Sequence, residues 1–404
     1  MSLDKNKTIG VFFGSRSPEH DVSIITAHLV ISGLKSIGYE VVPVYIGKSG
    51  EWYIHDELGE IDFFKDPLYE PKLKSHGGWT LSLTSNKGKM TFVKGGVFKK
   101  TTIIDIAFPT FHGRNGEDGT IQGLFELIGV PYVGCGVLSS ALAMNKVMTK
   151  EFYEHAGIPT TDFVSFKRDS WSLHKEDIKK EINALHYPLF VKPSRTGSSI
   201  GISKVKDEKD LEVAIEVAFH YDNEILVEEG VENVRDLTCA VIGHSTIEVS
   251  LVQESMYSSD LFSYEDKYIR DGGAQTGKDT KSVSIPPKNI DEKVLEKIQL
   301  MSKSIYDRFG CSGIARIDFL YNDETKKVYA NEINTLPGTL YHHLWKESGI
   351  NLSSLLEKLL LGAKEKSKED ARITSSFSSS ILEDVSGSKF VQKLHLQQEN
   401  DNNR

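Results

Sequence analysis

Gly313-Ile314-Ala315-Arg316-Ile317-Asp318-Phe319-Leu320 and Lys327-Val328-Tyr329-Ala330-Asn331-Glu332-Ile333, continued by Asn334, read as two adjacent β-strands. Side chains alternate between the faces of a strand, so Arg316 and Asp318 share one face of the first and Glu332 and Asn334 one face of the second. Ile317 and Ile333 then point into a core. A loop of Asp323-Glu324-Thr325 sets Arg316 opposite Glu332 and gathers the four polar side chains on one surface. Two carboxylates and an amide oxygen suit one or two Mg2+ ions, which take oxygen ligands and share them with substrate phosphates. Arg316 is then placed to stabilise charge on a transferred phosphoryl group. The same alternation also fits an exposed hairpin face bearing solvated charges. The irregular run Thr335-Leu336-Pro337-Gly338, which can offer backbone donors, weighs toward a site.

Upstream, Pro193-Ser194-Arg195-Thr196-Gly197-Ser198-Ser199-Ile200-Gly201 follows an apolar strand ending in Lys192. A loop rich in Gly and Ser can aim backbone N–H groups and hydroxyls at phosphate oxygens, with Lys192 adding charge. A plain surface loop is the alternative. Neither GxxxxGK[ST] nor GxGxxG occurs, so a P-loop or a Rossmann dinucleotide site is not supported. Phe111-His112-Gly113-Arg114-Asn115-Gly116-Glu117-Asp118-Gly119 follows a strand ending at Phe108 and puts His112 near a strand's carboxyl end, where open α/β sheets bind ligands. A lone His in such a place can equally be structural. Ser17-Pro18-Glu19-His20-Asp21-Val22-Ser23 opens the first helix, where Glu19 can serve simply as a partner of the helix dipole.

Around these blocks, the apolar run from Thr8 to Phe13, the amphipathic stretch from His20 to Ile37 and the run from Val41 to Ile46 form a βαβ opening. Residues 47 to 100 read as small β-hairpins, with a turn at Asn86-Lys87-Gly88, before a buried strand from Ile103 to Phe108. Helices are expected over Gly119 to Ile128 and Ser139 to His155, with Ser139 as the N-cap of the second. From Tyr187, the runs Pro188 to Lys192, Leu211 to Phe219, Glu224 to Glu229 and Leu237 to Val241 read as strands separated by charged helices, a second unit of α+β type. A third holds a helix from Asp291 to Phe309, the strand pair and a closing helix from Leu352 to Leu361. Beyond Thr374 the chain is too polar for a core of its own.

Across all 404 residues, 48 Lys and Arg face 57 Asp and Glu, a formal charge of −9, so no general basic surface exists for a phosphate backbone and nucleic acid is not expected as a partner. Cys135, Cys239 and Cys311 lie far apart without CxxC spacing, which argues for a reducing compartment and against a disulfide framework or a zinc site. The uncharged stretch from Leu127 to Met144 is broken by Gly129, Pro131, Gly134 and Gly136, so no membrane span is expected. The N-terminus lacks the apolar core of a signal peptide, and a cytoplasmic location is expected.

Together with Tyr264-Glu265-Asp266-Lys267-Tyr268, these blocks stand in an order that resembles the D-alanine–D-alanine ligases, ATP-grasp enzymes of peptidoglycan synthesis, from Thr8 to about Leu361. The resemblance implies a mixed α/β and α+β fold of three-domain ATP-grasp architecture. A Rossmann-like N-terminal α/β domain covers 1–134, central and C-terminal ATP-grasp subdomains cover 135–229 and 230–374, and a polar tail, expected to be disordered, covers 375–404. It implies ATP between the second and third domains, D-alanine at their junction with the first, and a homodimer. Lys146 and Lys192 match the phosphate-contacting lysines, Lys267 the one reaching the γ-phosphate, and Ser199 belongs with the ATP-binding residues. Glu228, Glu229 and Val231 match the adenine hinge, and Asp236 stands where a Glu usually meets the ribose. Asp318, Glu332 and Asn334 match ligands of Mg2+ (or Mn2+), with two ions implied. Arg316 and the backbone of Gly338 match the groups that stabilise the phosphoryl group and the tetrahedral intermediate. Glu19 matches the carboxylate that receives the first D-alanine's ammonium, and it would join Ser198 and Tyr268 in a triad closing the loop from Tyr264 to Tyr268. His112 is counted with these catalytic residues. The activity implied is the joining of two D-alanines through an acylphosphate.

One departure bears on the acceptor. Between Gly338 and Leu344-Trp345 stand only Thr339-Leu340-Tyr341-His342-His343, a shorter segment than the family pattern, which usually places a Ser there for the second amino acid's carboxylate. His342 or His343 could hold that carboxylate or be surface histidines, and Tyr268 is the residue type associated with a D-alanine acceptor. The alternative reading is therefore a ligase that activates D-alanine and joins it to another acceptor. A nucleotide-binding protein that has lost ligation is the rival from another class.

Overall fold

The computed structural model describes residues 4–84, 88–96, 99–256, 282–374 and 378. Residues 1–367 form one compact unit, and 368–404 a second, of which only 368–374 and 378 are described. The polar tail from 375 therefore lies almost wholly outside the described residues.

The first sheet is built on β1 (Thr8–Gly14), which leads through α1 (His20–Ser36) to the parallel strand β2 (Glu40–Ile46). Ile9, Val11 and Phe13 pack with α1 in one core, while Phe12 joins another with Phe92 and Phe125. Burial of both faces is what parallel strands require, and it accounts for the unbroken apolar run. Then come β3 (Trp52–Ile54), a 3₁₀ turn at Asp56–Gly59, α2 (Ile61–Lys65) and α3 (Tyr69–His76). The strands β4 (Thr80–Ser82), β5 (Met90–Lys94) and β6 (Lys100–Ile104) form a separate antiparallel sheet. The expected hairpins thus account for only part of residues 47 to 100. Phe63, Phe64 and Tyr69 anchor the two unanticipated short helices against the core of Phe13 and Tyr45.

The expected strand from Ile103 to Phe108 is two strands, β6 and β7 (Ile106–Pro109), in different sheets. The break falls at Asp105, whose carboxylate accepts the Thr8 N–H at 3.1 Å and pairs with Lys7 at 3.2 Å and Lys89 at 3.0 Å. In the first sheet the order is β3-β2-β1-β7. Three helices follow: α4 (Thr120–Ile128), α5 (Val137–Met144) and α6 (Lys146–His155). The single helix expected from Ser139 to His155 is broken at Asn145, whose side chain accepts from the Met148 N–H at 3.0 Å and caps α6. Ser139 sits inside α5, and the N-cap position belongs to Gly136.

The second region comprises β8 (Phe163–Lys167), α7 (Arg168–Ile182), β9 (Leu189–Pro193), β10 (Ser203–Val205), α8 (Leu211–Phe219) and β11 (Glu224–Glu229), with sheet order β10-β9-β11-β8. Leu211 to Phe219 is a helix rather than a strand. Its buried residues Leu211, Ala214, Ile215, Ala218 and Phe219 recur at helical spacing, an ambiguity that short apolar runs carry.

The third sheet, ordered β14-β13-β12-β15-β16, contains β12 (Val234–Gly243), β13 (Ile247–Met256), β14 (Ser282–Ser284), β15 (Gly313–Asn322) and β16 (Val328–Asn334), with α9 (Glu292–Arg308) across it. A tight turn at Gly338–Tyr341, α10 (His342–Glu347) and α11 (Leu352–Asp370) end the described fold. The closing helix is longer than expected. Its Leu355, Leu356, Leu359 and Leu360 share a core with α1. At Gly33 on α1 an added Cβ would meet Leu356 Cδ1 at 2.5 Å, so the absence of a side chain lets the two helices approach and fixes the first sheet against the third.

Candidate active-site cleft

The carboxyl end of β7, the start of α1, the β9–β10 loop and the β12–β15–β16 surface enclose a cleft of about 410 Å³. Of the candidate residues within the described part of the chain, all but His342 and His343 line it: Glu19, His112, Lys146, Lys192, Ser198, Ser199, Glu228, Glu229, Val231, Asp236, Arg316, Asp318, Glu332, Asn334 and Gly338. Lys267 and Tyr268, with the loop they belong to, lie outside the described residues.

The β15–β16 hairpin carries the carboxylates in a register that differs from expectation. Arg316 lies opposite Asn334 rather than Glu332, and Asp318 lies opposite Glu332. The turn closes on Asn322 and Lys327, and an irregularity beyond Asp318 adds a residue to one strand. Together these shift the pairing by two, and an even shift keeps every side chain on its face. The correction sets the two carboxylates directly across from one another. Asp318 accepts from Arg316 Nε at 2.9 Å and Nη2 at 2.6 Å, from Thr238 Oγ1 at 2.9 Å and from Asn334 Nδ2 at 3.3 Å. Arg316 also lies 3.8 Å from Glu332. Burial pushes the Asp318 carboxyl above its ordinary value, against the pull of Arg316, and the Glu332 charge adds to the rise. Burial works against the Arg316 charge, yet Asp318, Tyr341 and Glu332 hold its pKa well above the usual value. Two opposed carboxylates meet at one guanidinium. Their oxygens, with the amide oxygen of Asn334, fit a hard divalent cation such as Mg2+.

A second charge cluster flanks the first. Glu228 pairs with Lys192 and, at 2.7 Å, with Lys150, and it accepts from Thr161 Oγ1 at 3.1 Å. Burial disfavours this carboxylate, but Lys150 and Lys192 outweigh it and bring its pKa down to about 2. Lys150 was not singled out in the sequence, although it stands one helical turn after Lys146 on α6. It is 2% exposed and also donates to Thr161 Oγ1 at 2.6 Å. Lys146 opens α6, gives its Nζ to the carbonyl of Thr196 and has its pKa lowered by burial. Glu229 accepts from the backbone and the ring of His186, both at 2.8 Å.

Opposite the hairpin, Ser198 donates to the buried carboxylate of Glu19, joining the β9–β10 loop to the first domain. Ser198 and Ser199 adopt left-handed φ values of 52° and 58°, costly for residues with a side chain and frequent where a ligand site constrains the backbone. At Gly113 (φ 73°) a Cβ would come within 2.6 Å of Glu19 Oε2 and Ser17 Oγ, so only glycine leaves Glu19 its place. The Gly113 N–H donates to Glu117 at 2.7 Å. Burial, followed by the Glu19 charge, raises the Glu117 carboxyl to about 8. Glu117 lines the cleft and went unremarked in the sequence, where only its place in the glycine-rich block marked it.

His112 is 5% exposed, and burial, with Arg316 nearby, lowers its pKa to about 4, so the ring is neutral near pH 7. Its Nε2 lies 2.9 Å from Thr26 Oγ1, which accepts the Thr339 N–H at 3.2 Å. The short segment after Gly338 is thereby tied to α1. Thr339, Leu340 and Tyr341 are consecutive left-handed residues, with φ of 48°, 55° and 49°. That turn lays the Tyr341 ring against Arg316, with the guanidinium carbon 5.1 Å from the ring centroid. Neither His342 nor His343 lines the cleft: His342 lies 3.1 Å from the Thr339 carbonyl, and His343 Nε2 lies 2.7 Å from Gln253 Oε1. Tyr341 and Gln253 are the residues that reach the cavity.

Two family models match the chain: D-ala D-ala ligase N-terminus over residues 8–135 and D-ala D-ala ligase C-terminus over 152–361. A D-alanine–D-alanine ligase of Thermosipho melanesiensis is 40% identical over 89% of this chain and 94% of its own length. One of Caldicellulosiruptor bescii is 39% identical over 90% and 97%. Among solved structures, the VanG D-Ala:D-Ser ligase of Enterococcus faecalis aligns with a TM-score of 0.74 and 36% identity, covering 89% of this chain and 99% of that one. These matches span the three sheets that bound the cleft and nearly the whole length of the relatives, and the chain belongs to the D-alanine–D-alanine ligase family.

Proposed function

We propose that this chain is an ATP-dependent ligase that joins two D-alanines into D-alanyl-D-alanine for peptidoglycan precursor synthesis, and that it works in the cytoplasm. Among the described residues no helix is long and apolar enough to cross a membrane. The observation that carries the reading is the opposition of Asp318 and Glu332 beside Arg316, in a cleft whose far wall is the Glu19–Ser198 contact. The separate sheets built on β1, β11 and β12 support a division into domains at 1–134, 135–229 and 230–374.

In this reading ATP lies between the second and third domains, with its phosphates toward Lys146 and Lys192. The carboxylate of the first D-alanine, its ammonium held by Glu19, attacks the γ-phosphorus, so that ADP leaves and a D-alanyl phosphate forms. The amino group of the second D-alanine then attacks the acyl carbon. The amide forms, inorganic phosphate leaves and the nitrogen gives up a proton. Arg316 neutralises charge on the transferred phosphoryl group, and the Gly338 N–H faces the oxyanion of the tetrahedral intermediate. Mg2+, held by Asp318, Glu332 and Asn334, supplies charge neutralisation and orientation of the phosphate oxygens. No side chain serves as a nucleophile, so catalysis is positioning, charge compensation and exclusion of water.

The test is ADP release with ATP and Mg2+, with and without D-alanine, followed by the mass of the product. D-alanine alone is expected to suffice and to yield the dipeptide. ADP release that requires D-serine or a hydroxy acid as acceptor would overturn the assignment of the second substrate. ADP release indifferent to every amino acid would overturn ligation itself.

A further inference from the structure

Outside the cleft, the insert after β3 brings together side chains that the ligase chemistry does not use. His55 caps the 3₁₀ turn, Glu57 stands in that turn's first residues, and His76 ends α3. The two imidazoles stack with centroids 4.1 Å apart and planes at 22°. Glu57 Oε2 lies 3.8 Å from His55 Nδ1 and 3.4 Å from His76 Nε2, and one ligand atom from each of the three residues lies within 4.8 Å of the others. None of the three lines the cleft.

We propose that His55, Glu57 and His76 form a binding site for a divalent transition metal of the Zn2+ class, which clips the turn after β3 to the end of α3. Two imidazole nitrogens and a carboxylate oxygen are a donor set that Zn2+ accepts, with a fourth position left for water. Bonds of about 2.0–2.1 Å in a tetrahedron separate ligand atoms by roughly 3.3 Å. The 3.4 and 3.8 Å separations therefore close by side-chain rotation, and His55 and Glu57 are exposed enough to turn. His55 Nδ1 already accepts the Glu57 N–H, at a long 3.3 Å, so its lone pair points at the turn and the metal replaces only a weak bond. His76 is anchored from behind, its carbonyl accepting Lys94 Nζ. Nitrogen ligands select Zn2+, Cu2+ or Ni2+ over Mg2+, so the site stays distinct from the oxygen-lined cleft.

The experiment titrates Zn2+ into the chelator-treated full chain against a chromophoric chelator, with Mg2+ in excess to occupy the cleft. One equivalent is expected to compete with the dye. Affinity should fall in H55A and H76A by more than the ~10-fold that loss of even an outer partner of a metal ligand costs. Asp318→Asn should retain it. The unmutated protein supplies an independent readout, because Zn2+ should slow diethyl pyrocarbonate modification of His55 and His76. Absence of competition with the dye overturns the site. So does H76A binding as tightly as the parent, or protection confined to other histidines.

Discussion

The cleft holds two buried charge clusters of opposite balance. Around Glu228 two lysines serve one carboxylate, which is driven down to about 2. Around Arg316 two carboxylates share one guanidinium, and Asp318 is driven up. The first cluster holds β9 and β11 to α6 through Lys192, Glu228 and Lys150. In the second, Arg316 reaches both Asp318 and Glu332. Burial alone therefore does not mark the reacting centre; the direction in which burial and neighbours drive the carboxylate separates the two clusters.

The largest expected effect breaks the Glu228 cluster. Glu228→Gln leaves Lys150 and Lys192 buried without their carboxylate, and a cost of about 3–5 kcal/mol in unfolding free energy is expected, read by urea denaturation. The same pair has a pH signature. The folded pKa of Glu228 lies below its unfolded value, so its contribution is present above about pH 4.5 and is lost as pH falls toward about 2. An acid titration of the parent should show that loss, and Glu228→Gln should flatten it.

Next in size is Arg316→Ala, expected to lower kcat by about 10²–10³-fold, the scale of losing one donor to transition-state charge. Glu332→Gln sharpens the contrast. It should abolish ligation yet leave thermal stability equal or higher, because it removes a like charge facing Asp318. Destabilisation by Glu332→Gln equal to that of Glu228→Gln would erase the distinction between the clusters. Ser198→Ala removes one hydrogen bond to Glu19 and should cost about 1–3 kcal/mol of binding, seen as a raised KM for D-alanine. A last effect concerns His343. Held neutral with a folded pKa of about 4, it contributes stability above pH 6.5 that is lost as pH falls toward 4, and His343→Gln should remove that slope.

Much of this site could be read in the sequence because alternation along β15 and β16 survives an error of register. The expected pairing is off by two, yet Arg316, Asp318, Glu332 and Asn334 still share a face. Periodicity failed where an apolar run was short, as at Leu211–Phe219, or where one polar residue moved the chain between sheets, as at Asp105. Contacts between distant segments left no local trace. Nothing in the order of residues says that Lys150 meets Glu228, that Thr26 links His112 to Thr339, or that three left-handed residues carry Tyr341 rather than a histidine to the cavity.

The opposition of Asp318 and Glu332 as a cation site is tested most directly by Mn2+ binding, followed by electron paramagnetic resonance in the presence of a non-hydrolysable ATP analogue. The parent is expected to bind Mn2+ in a nucleotide-dependent way, and both Asp318→Asn and Glu332→Gln to lose that binding while remaining folded. Parent-like binding in both variants would contradict it.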